Sequence, residues 1–509
     1  MKSENSVVHR FRVSLEQFPD RTAIFINNES YTYLELSLIV SSIKDKILLE
    51  AKPNKLIGLV TGDDNIYTYA SILAILSSGA GYVPINLKNP TNRNLNILNQ
   101  AEISTVLISS SNVKIEKELH EFKIIQTSEL EKSNIEFSVE PIDDEQIAYL
   151  LFTSGSTGTP KGVPIYHKNL NSFVDNYTKN EIYNFNENDR FLQMYELTFD
   201  PSVQNIFVCL SIGALLFVVS KKGVLNHNIV KTLEKHKITW AAVVPSFLNY
   251  LRPYFSEIYL PELKYFHSGG EALHADLIKE WSISIPNAII ENVYGPTETT
   301  VFCLSYRWNN KSEKEAYNGV LPIGKVVQNM EAVIVNENNE ILKRGEKGEL
   351  CVGGNQITQQ YWKNEKKTKE SFIKIKNTEK KTFYKTGDLC FENENGNLVF
   401  LGRIDNQVKI DGFRVELEEI EYFAKEYLQI ANISAIAAKN RKGNLSVVLF
   451  VENLKEDKTK IINFLKQKLP IYMIPSDIQN ISKMPYNING KIDKLSLKDV
   501  ADQTINSTF

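Results

Sequence analysis

Short apolar runs alternate with amphipathic stretches along most of the chain. Lys55–Val60, Thr105–Ile108 and Trp240–Val244 are continuous runs rich in β-branched and apolar residues, the pattern of strands covered on both faces. Ile66–Ser77 and Asn228–His236 instead read as helices. This rhythm predicts an α/β fold in which a large N-terminal domain stacks mainly parallel sheets with helices. No repeat of about 20–50 residues is visible, which excludes solenoids and propellers.

The pattern changes once. Lys374–Lys381 is a charged loop, followed by strand-like Asn397–Leu401. Gly402–Tyr427 then reads as a turn, a strand and an amphipathic helix. We place a boundary at Asp405, giving a core domain over 1–404 and a small, mobile α+β lid domain over 405–509. The tail Ala501–Phe509 is short and polar and is expected to fray.

Length and composition agree with two domains. The chain has 509 residues, 42% hydrophobic and 23% charged, with a net charge of −3. It can bury a sizeable core, and no overall basic field recruits nucleic acid or an anionic membrane. Cys209, Cys303, Cys351 and Cys390 show no CxxC spacing and no histidine at metal-ligand spacing, so buried reduced thiols are expected rather than disulfides or zinc. No stretch has the length of a membrane span and the N-terminus lacks a cleavage signal, so a cytoplasmic protein is expected.

Chemistry concentrates after the apolar run Tyr149–Leu151. Thr153, Ser154, Gly155, Ser156, Thr157 and Gly158 lead through Thr159 and Pro160 to Lys161 and Gly162. Glycines let a backbone approach an anion, hydroxyls add donors, and a lysine adds a point charge. The segment therefore reads as a phosphate cradle. It is not a Walker A loop, since Pro160 precedes the lysine and Gly162 follows it.

Four more segments follow: Asn292–Thr299 (NVYGPTET), Tyr384–Leu389 (YKTGDL), Gly402–Lys409 (GRIDNQVK) and Asn489–Asp493 (NGKID). In this order and spacing they resemble the core motifs of the adenylate-forming superfamily of acyl-CoA synthetases, nonribosomal-peptide adenylation domains and luciferases. Tyr31–Leu36 and Gly79–Asn86 support the likeness, with Asn86 where the family more often has Asp; we expect this to be a surface-turn difference of no consequence.

The resemblance implies a carboxylic acid activated by ATP, with pyrophosphate leaving. Thr153, Ser154, Thr157 and Lys161 would hold the β- and γ-phosphates within the Thr153–Gly158 cradle, and Glu298 would ligate Mg²⁺. Thr297 would touch the α-phosphate. Tyr294 and Gly295 would line the adenine face with Asn292 at its edge, Asp388 would accept the ribose hydroxyls, and Arg403 would reach the nucleotide from the hinge side. Lys491 would bridge substrate carboxylate, ribose and α-phosphate, a compact cation between two reacting anions. Members of the superfamily swing the small domain about the position of Asp405, withdrawing this lysine and bringing the strand around Gly412 to a thiol channel.

Asp200 stands where amino-acid-activating members hold an ammonium group; its plain alternative is the N-cap of the following helix. Pro201, Gln204, Ala242, His267, Gly269, Val293, Val301 and Phe302 resemble the side-chain pocket, with Lys491 on the carboxylate. Gly269 would leave the pocket floor open. A medium-sized side chain is expected, branched aliphatic or polar. The chain also resembles stand-alone D-alanine:carrier protein ligases, although Gly269 replaces their pocket cysteine. No phosphopantetheine-site motif follows Lys491, so the expected acceptor is a separate peptidyl carrier protein. Coenzyme A, an amine acceptor, and a catalytically silent interaction module are the alternatives.

Overall fold

The computed structural model describes residues 5–507 except 52–55, 111–116, 132–134, 156–157, 181, 222, 310, 377, 379–381, 431, 441 and 487–491, with the backbone alone over 503–507. The fold is mixed α/β, as the alternation of runs predicts. Among the described residues, one six-stranded sheet has the order Lys123–Gln126, Thr105–Ile108, Leu56–Thr61, Gly81–Asn86, Ile147–Thr153, Lys161–Tyr166. All its neighbours are parallel but the last pair.

A nine-stranded sheet keeps a parallel interior, in which Ile289–Tyr294, Tyr265–Gly269, Trp240–Val243, Arg190–Gln193, Leu215–Val218 and Thr22–Ile26 lie side by side. Antiparallel strands close its two edges. Helix Ile66–Ser77 is buried nearly all round, which explains its weak amphipathicity. It shares one apolar core with residues of both sheets, including Leu59, Tyr82, Ile24 and Leu216. Its start is fixed by reciprocal bonds between Asn65 and Thr68.

A five-stranded antiparallel sheet follows, with Phe383–Glu392 paired to Gly348–Gly354 and Leu398–Arg403. Beyond it, the hairpin Gln407–Ile410/Phe413–Glu416 leads into helix Leu417–Leu428 and a three-stranded sheet, Ile433–Lys439, Leu445–Glu452 and Asp477–Ile481. Ile410, Val415, Ile420, Leu449, Ile461 and Met473 form a separate apolar core here.

Trp240–Val244 ends one residue early, because Val244 caps the helix Pro245–Leu251. The described part of the tail does not fray as expected: helix Lys494–Ser507 continues through residues 501–507, and Leu497 and Ala501 bury themselves against Ile436 and Phe450, while 508 and 509 lie outside the described residues. All four cysteines are buried and free. Among the described residues no helix is long and apolar enough to cross a membrane.

Candidate active site

The cradle springs from an antiparallel pair in which Thr153 faces Lys161. Gly155 has no room for a side chain, since a Cβ there would meet the Thr159 carbonyl oxygen at 2.1 Å. Gly158 has φ +76°, the left-handed region that glycine enters freely. Thr153 Oγ1 is buried with no hydrogen-bond partner among the described residues, an unmet polar group at the cradle's entrance. Ser154 Oγ donates to the Arg414 carbonyl at 2.8 Å, and the Gly155 N–H donates to Glu419 at 3.2 Å. Lys161 Nζ lies 2.9 Å from Glu416. Ser156 and Thr157 lie outside the described residues.

Thr297 opens a single 3₁₀ turn, Thr297–Thr299, that buries Glu298 completely. Arg414 Nη1 donates to both carboxylate oxygens of Glu298 at 2.9 and 3.0 Å, and the Tyr361 hydroxyl donates at 2.6 Å. Burial alone would raise this carboxyl, yet Arg414, Tyr361 and Lys161 together hold it down at about 2. Gln356, fully buried, donates to the Thr299 and Phe302 carbonyls and accepts from Asn176, while its own backbone carbonyl receives the Thr300 hydroxyl. It clamps a strained segment: Val301 has φ +70°, costly for a β-branched residue. Gly295 permits the close approach, since a Cβ there would meet Phe302 Cα at 2.3 Å.

Asp388 and Arg403 face each other across antiparallel strands, with Arg403 Nη1 2.8 Å from the carboxylate. The Tyr294 hydroxyl donates to the other oxygen of Asp388. Arg403 also forks onto Asp405 at 2.8 and 2.6 Å, so the expected hinge is tied to the strand that carries Asp388. Asn292 Nδ2 donates to the Pro322 carbonyl at 2.8 Å.

Asp200, Pro201, Gln204, Ala242, His267, Gly269, Val293, Val301 and Phe302 all line one cavity of about 50 Å³. Asp200 occupies the N-cap position of helix Pro201–Leu210 but makes no capping bond with its side chain. Burial pushes its carboxyl up to about 6, against the lowering effects of Lys409 and Thr297. His267 does not offer a spare nitrogen to the cavity. Its Nε2 lies 3.0 Å from Glu291 and 3.4 Å from the Tyr183 hydroxyl, and its Nδ1 lies 3.4 Å from Gln204. Gly269 borders the cavity without leaving its floor open: a Cβ there would meet the Val293 carbonyl oxygen at 2.1 Å and Val293 Cγ2 at 2.8 Å.

Lys491 lies outside the described residues. Lys409, to which the motifs assign no role, lines the cavity beside Asp200. The hairpin register pairs Lys409 with Arg414 and Gln407 with Glu416, so these polar residues share one face while Ile410 and Val415 enter the apolar core. The alternation in KIDGFRVE carries this signal. Tyr361, Gln356, Glu291 and Tyr183 have no such local signature.

The donors present suit a magnesium nucleotide. The unpartnered Thr153 hydroxyl, the tight glycines and Lys161 suit phosphate oxygens. Among the described residues no group of three metal-ligating side chains occurs, so a metal here would rest on Glu298 with phosphate oxygens and water completing its shell, the habit of Mg²⁺.

The family described as AMP-binding enzyme matches residues 11–362. Tyrocidine synthase 1 of Brevibacillus parabrevis is 31% identical over 511 residues, covering 99% of this chain and 46% of that protein. D-alanine--D-alanyl carrier protein ligase of Bacillus licheniformis is 30% identical over 498 residues, covering 94% and 96%. The chain thus spans less than half of the first relative and nearly all of the second. Among solved structures, the Vibrio cholerae adenylation domain AlmE, in complex with glycyl-adenosine-5'-phosphate, has a TM-score of 0.86 at 23% identity over 97% of both chains. Holo-PA1221, a protein containing adenylation and PCP domains, has a TM-score of 0.85 at 23% identity over 97% of this chain and 84% of that one. These likenesses show the same fold.

Proposed function

The chain belongs to the AMP-binding enzyme family, and from that premise we propose that it activates an amino acid as aminoacyl-AMP with release of pyrophosphate, then passes the acyl group to the phosphopantetheine thiol of a separate carrier protein. The observation that carries the reading is Asp200. It is a buried carboxylate in a small cavity shared with Lys409 and lined mostly by apolar residues, with no cap bond to occupy it. A buried carboxylate calls for a cation, and the ammonium of an amino acid is one of the right size.

The remaining residues take the roles that the motifs suggest. Lys161 and the cradle hold phosphates, Asp388 accepts from the ribose, and Tyr294 lines the base. Glu298 is the residue to hold Mg²⁺, which would screen the charge between nucleotide and carboxylate when bound. Lys491 is assigned to the same screening at the substrate carboxylate. Residues 1–404 act as the binding core and 405–509 as the lid, with Asp405 at the hinge.

Transfer to a thiol is supported by Gly412, whose turn lies against the cavity's Val244. A Cβ on Gly412 would meet Val244 Cγ1 at 2.5 Å, so only glycine fits this approach. D-alanine activation is a second reading, favoured by the D-alanyl carrier protein ligase that matches over 96% of its length.

The test is ATP–pyrophosphate exchange across the twenty common amino acids, D-alanine and matched amine-free acids. Exchange with one or a few amine-bearing acids supports amino-acid activation. Exchange with amine-free acids alone points to an acyl-CoA synthetase, and none at all to a silent module.

A further inference from the structure

A row of polar side chains crosses the nine-stranded sheet and ends at the amino-acid cavity. The strand register pairs Arg307 with Glu291 and Glu291 with His267, so the three share one face. Arg307 Nη2 donates to one carboxylate oxygen of Glu291 at 3.0 Å, and the Tyr183 hydroxyl donates to the other. His267 Nε2 lies 3.0 Å from that second oxygen, while its Nδ1 lies 3.4 Å from Gln204 Nε2. Arg307 is partly exposed, whereas His267 and Gln204 are buried and border the cavity.

The row fixes which way the Gln204 amide faces. Glu291 is held ionised by its three partners, and a carboxylate only accepts. The proton at its contact with His267 therefore sits on Nε2, which leaves Nδ1 as an acceptor for an amide N–H of Gln204. The Gln204 carbonyl oxygen is thereby turned away from His267, and it has no hydrogen-bond partner among the described residues.

We propose that Glu291, His267 and Tyr183 are positioning residues that hold the Gln204 carbonyl oxygen as an acceptor for the substrate's side chain, and that the amino acid activated is small and carries a side-chain donor, of the class of serine and threonine. The inference rests on the amino-acid activation proposed above. Size follows from the cavity, whose 50 Å³ or so is less than the liquid volume of roughly two water molecules. The Val293 carbonyl and side chain close it beneath Gly269. This narrows the medium-sized side chain expected from the sequence. A methyl group in the hydroxyl's place would leave a buried acceptor unpaired, the circumstance in which a site rejects an isostere strongly.

ATP–pyrophosphate exchange with isosteric pairs tests this, serine against alanine and threonine against valine, each in both enantiomers. For the pair that is used, kcat/KM should favour the hydroxy acid by about tenfold or more. Glu291→Gln frees the imidazole and the amide to turn, so this preference should fall by about fivefold or more, carried mainly by the KM of the hydroxy acid. A merely structural role would lower both members of a pair equally, and that result overturns the positioning. Gln204→Leu, which alters no carboxylate, should abolish or reverse the preference and serves equally where Glu291→Gln fails to fold. Equal use of both members of each pair, exchange confined to larger amino acids, or a preference that survives Gln204→Leu overturns the proposal while amino-acid activation stands. Exchange with no amine-bearing acid overturns amino-acid activation itself, and this inference with it.

Discussion

Arg414 Nη1 lies 2.9 and 3.0 Å from the two carboxylate oxygens of Glu298, closing over that carboxylate from the C-terminal hairpin. Under the proposed swing of the hairpin about Asp405, the pair separates without unfolding the core. Glu298→Gln is therefore expected to lower ATP–pyrophosphate exchange by on the order of 10²-fold, the scale of one lost electrostatic stabiliser. Its melting temperature should fall by only a few degrees, since Arg414 can move to water. Retained exchange in this variant would remove Glu298 from the chemistry.

Asp200 gives a pH signature. Burial raises its carboxyl to about 6, so the native state holds the proton more tightly than the unfolded chain. The stability it contributes is present below about pH 4 and is lost as pH rises to about 6, on the order of 3 kcal/mol in all. The stability difference between wild type and Asp200→Asn, followed from pH 4 to 7 by denaturant unfolding, should show this change. Binding an ammonium needs the ionised form, so amino-acid KM should fall with rising pH and level off above about 6. A flat profile would contradict the assignment.

Glu291 works in the opposite sense. Burial opposes its ionisation, but His267, Tyr183 and Arg307 hold its carboxyl down at about 2. Its stabilisation is present above the usual glutamate range and disappears as pH falls from about 4 toward 2. Glu291→Gln should flatten this acid limb and cost roughly 1–3 kcal/mol at neutral pH. Because His267 depends on Glu291 for its position beside Gln204, amino-acid KM should rise more than kcat falls.

Asn86 is buried, and its Nδ2 donates to Glu196 at 2.9 Å, while Lys88 and Lys221 hold the same carboxylate at 3.0 and 2.9 Å. This corrects the expectation of a surface turn without consequence. Asn86→Asp replaces a donor with a carboxylate facing Glu196, and the denaturant midpoint should shift by the equivalent of about 1–3 kcal/mol. An unchanged midpoint would mean that the two lysines absorb the added charge.

How much the sequence reveals depends on how local the signal is. Thr105–Ile108 and Ile66–Ser77 are observed with the ends that their own patterns predict. The nine pocket residues are what the family resemblance implies, and they meet in one cavity because several stand at or beside the ends of the parallel strands Trp240–Val243, Tyr265–Gly269 and Ile289–Tyr294. Asn86 is misread from sequence because its partner Glu196 is 110 residues away. Tyr361 and Gln356 escape notice for the same reason, each acting on a turn about 60 residues earlier. The polar face of the hairpin is present in the alternation around Lys409 and Arg414, but what that face covers is decided by how the C-terminal segment docks.

The central claim is that Asp200 reads an ammonium group. It is tested by comparing, in the wild type and in Asp200→Ala, pyrophosphate exchange supported by the preferred amino acid and by its des-amino counterpart with the same side chain. Wild type should favour the amino acid by about 100-fold or more, the scale of a charge-assisted hydrogen bond removed from a buried site, and Asp200→Ala should erase most of that preference. Equal use of both acids by the wild type, or a preference that survives in Asp200→Ala, would show that the cavity recognises something other than the amine.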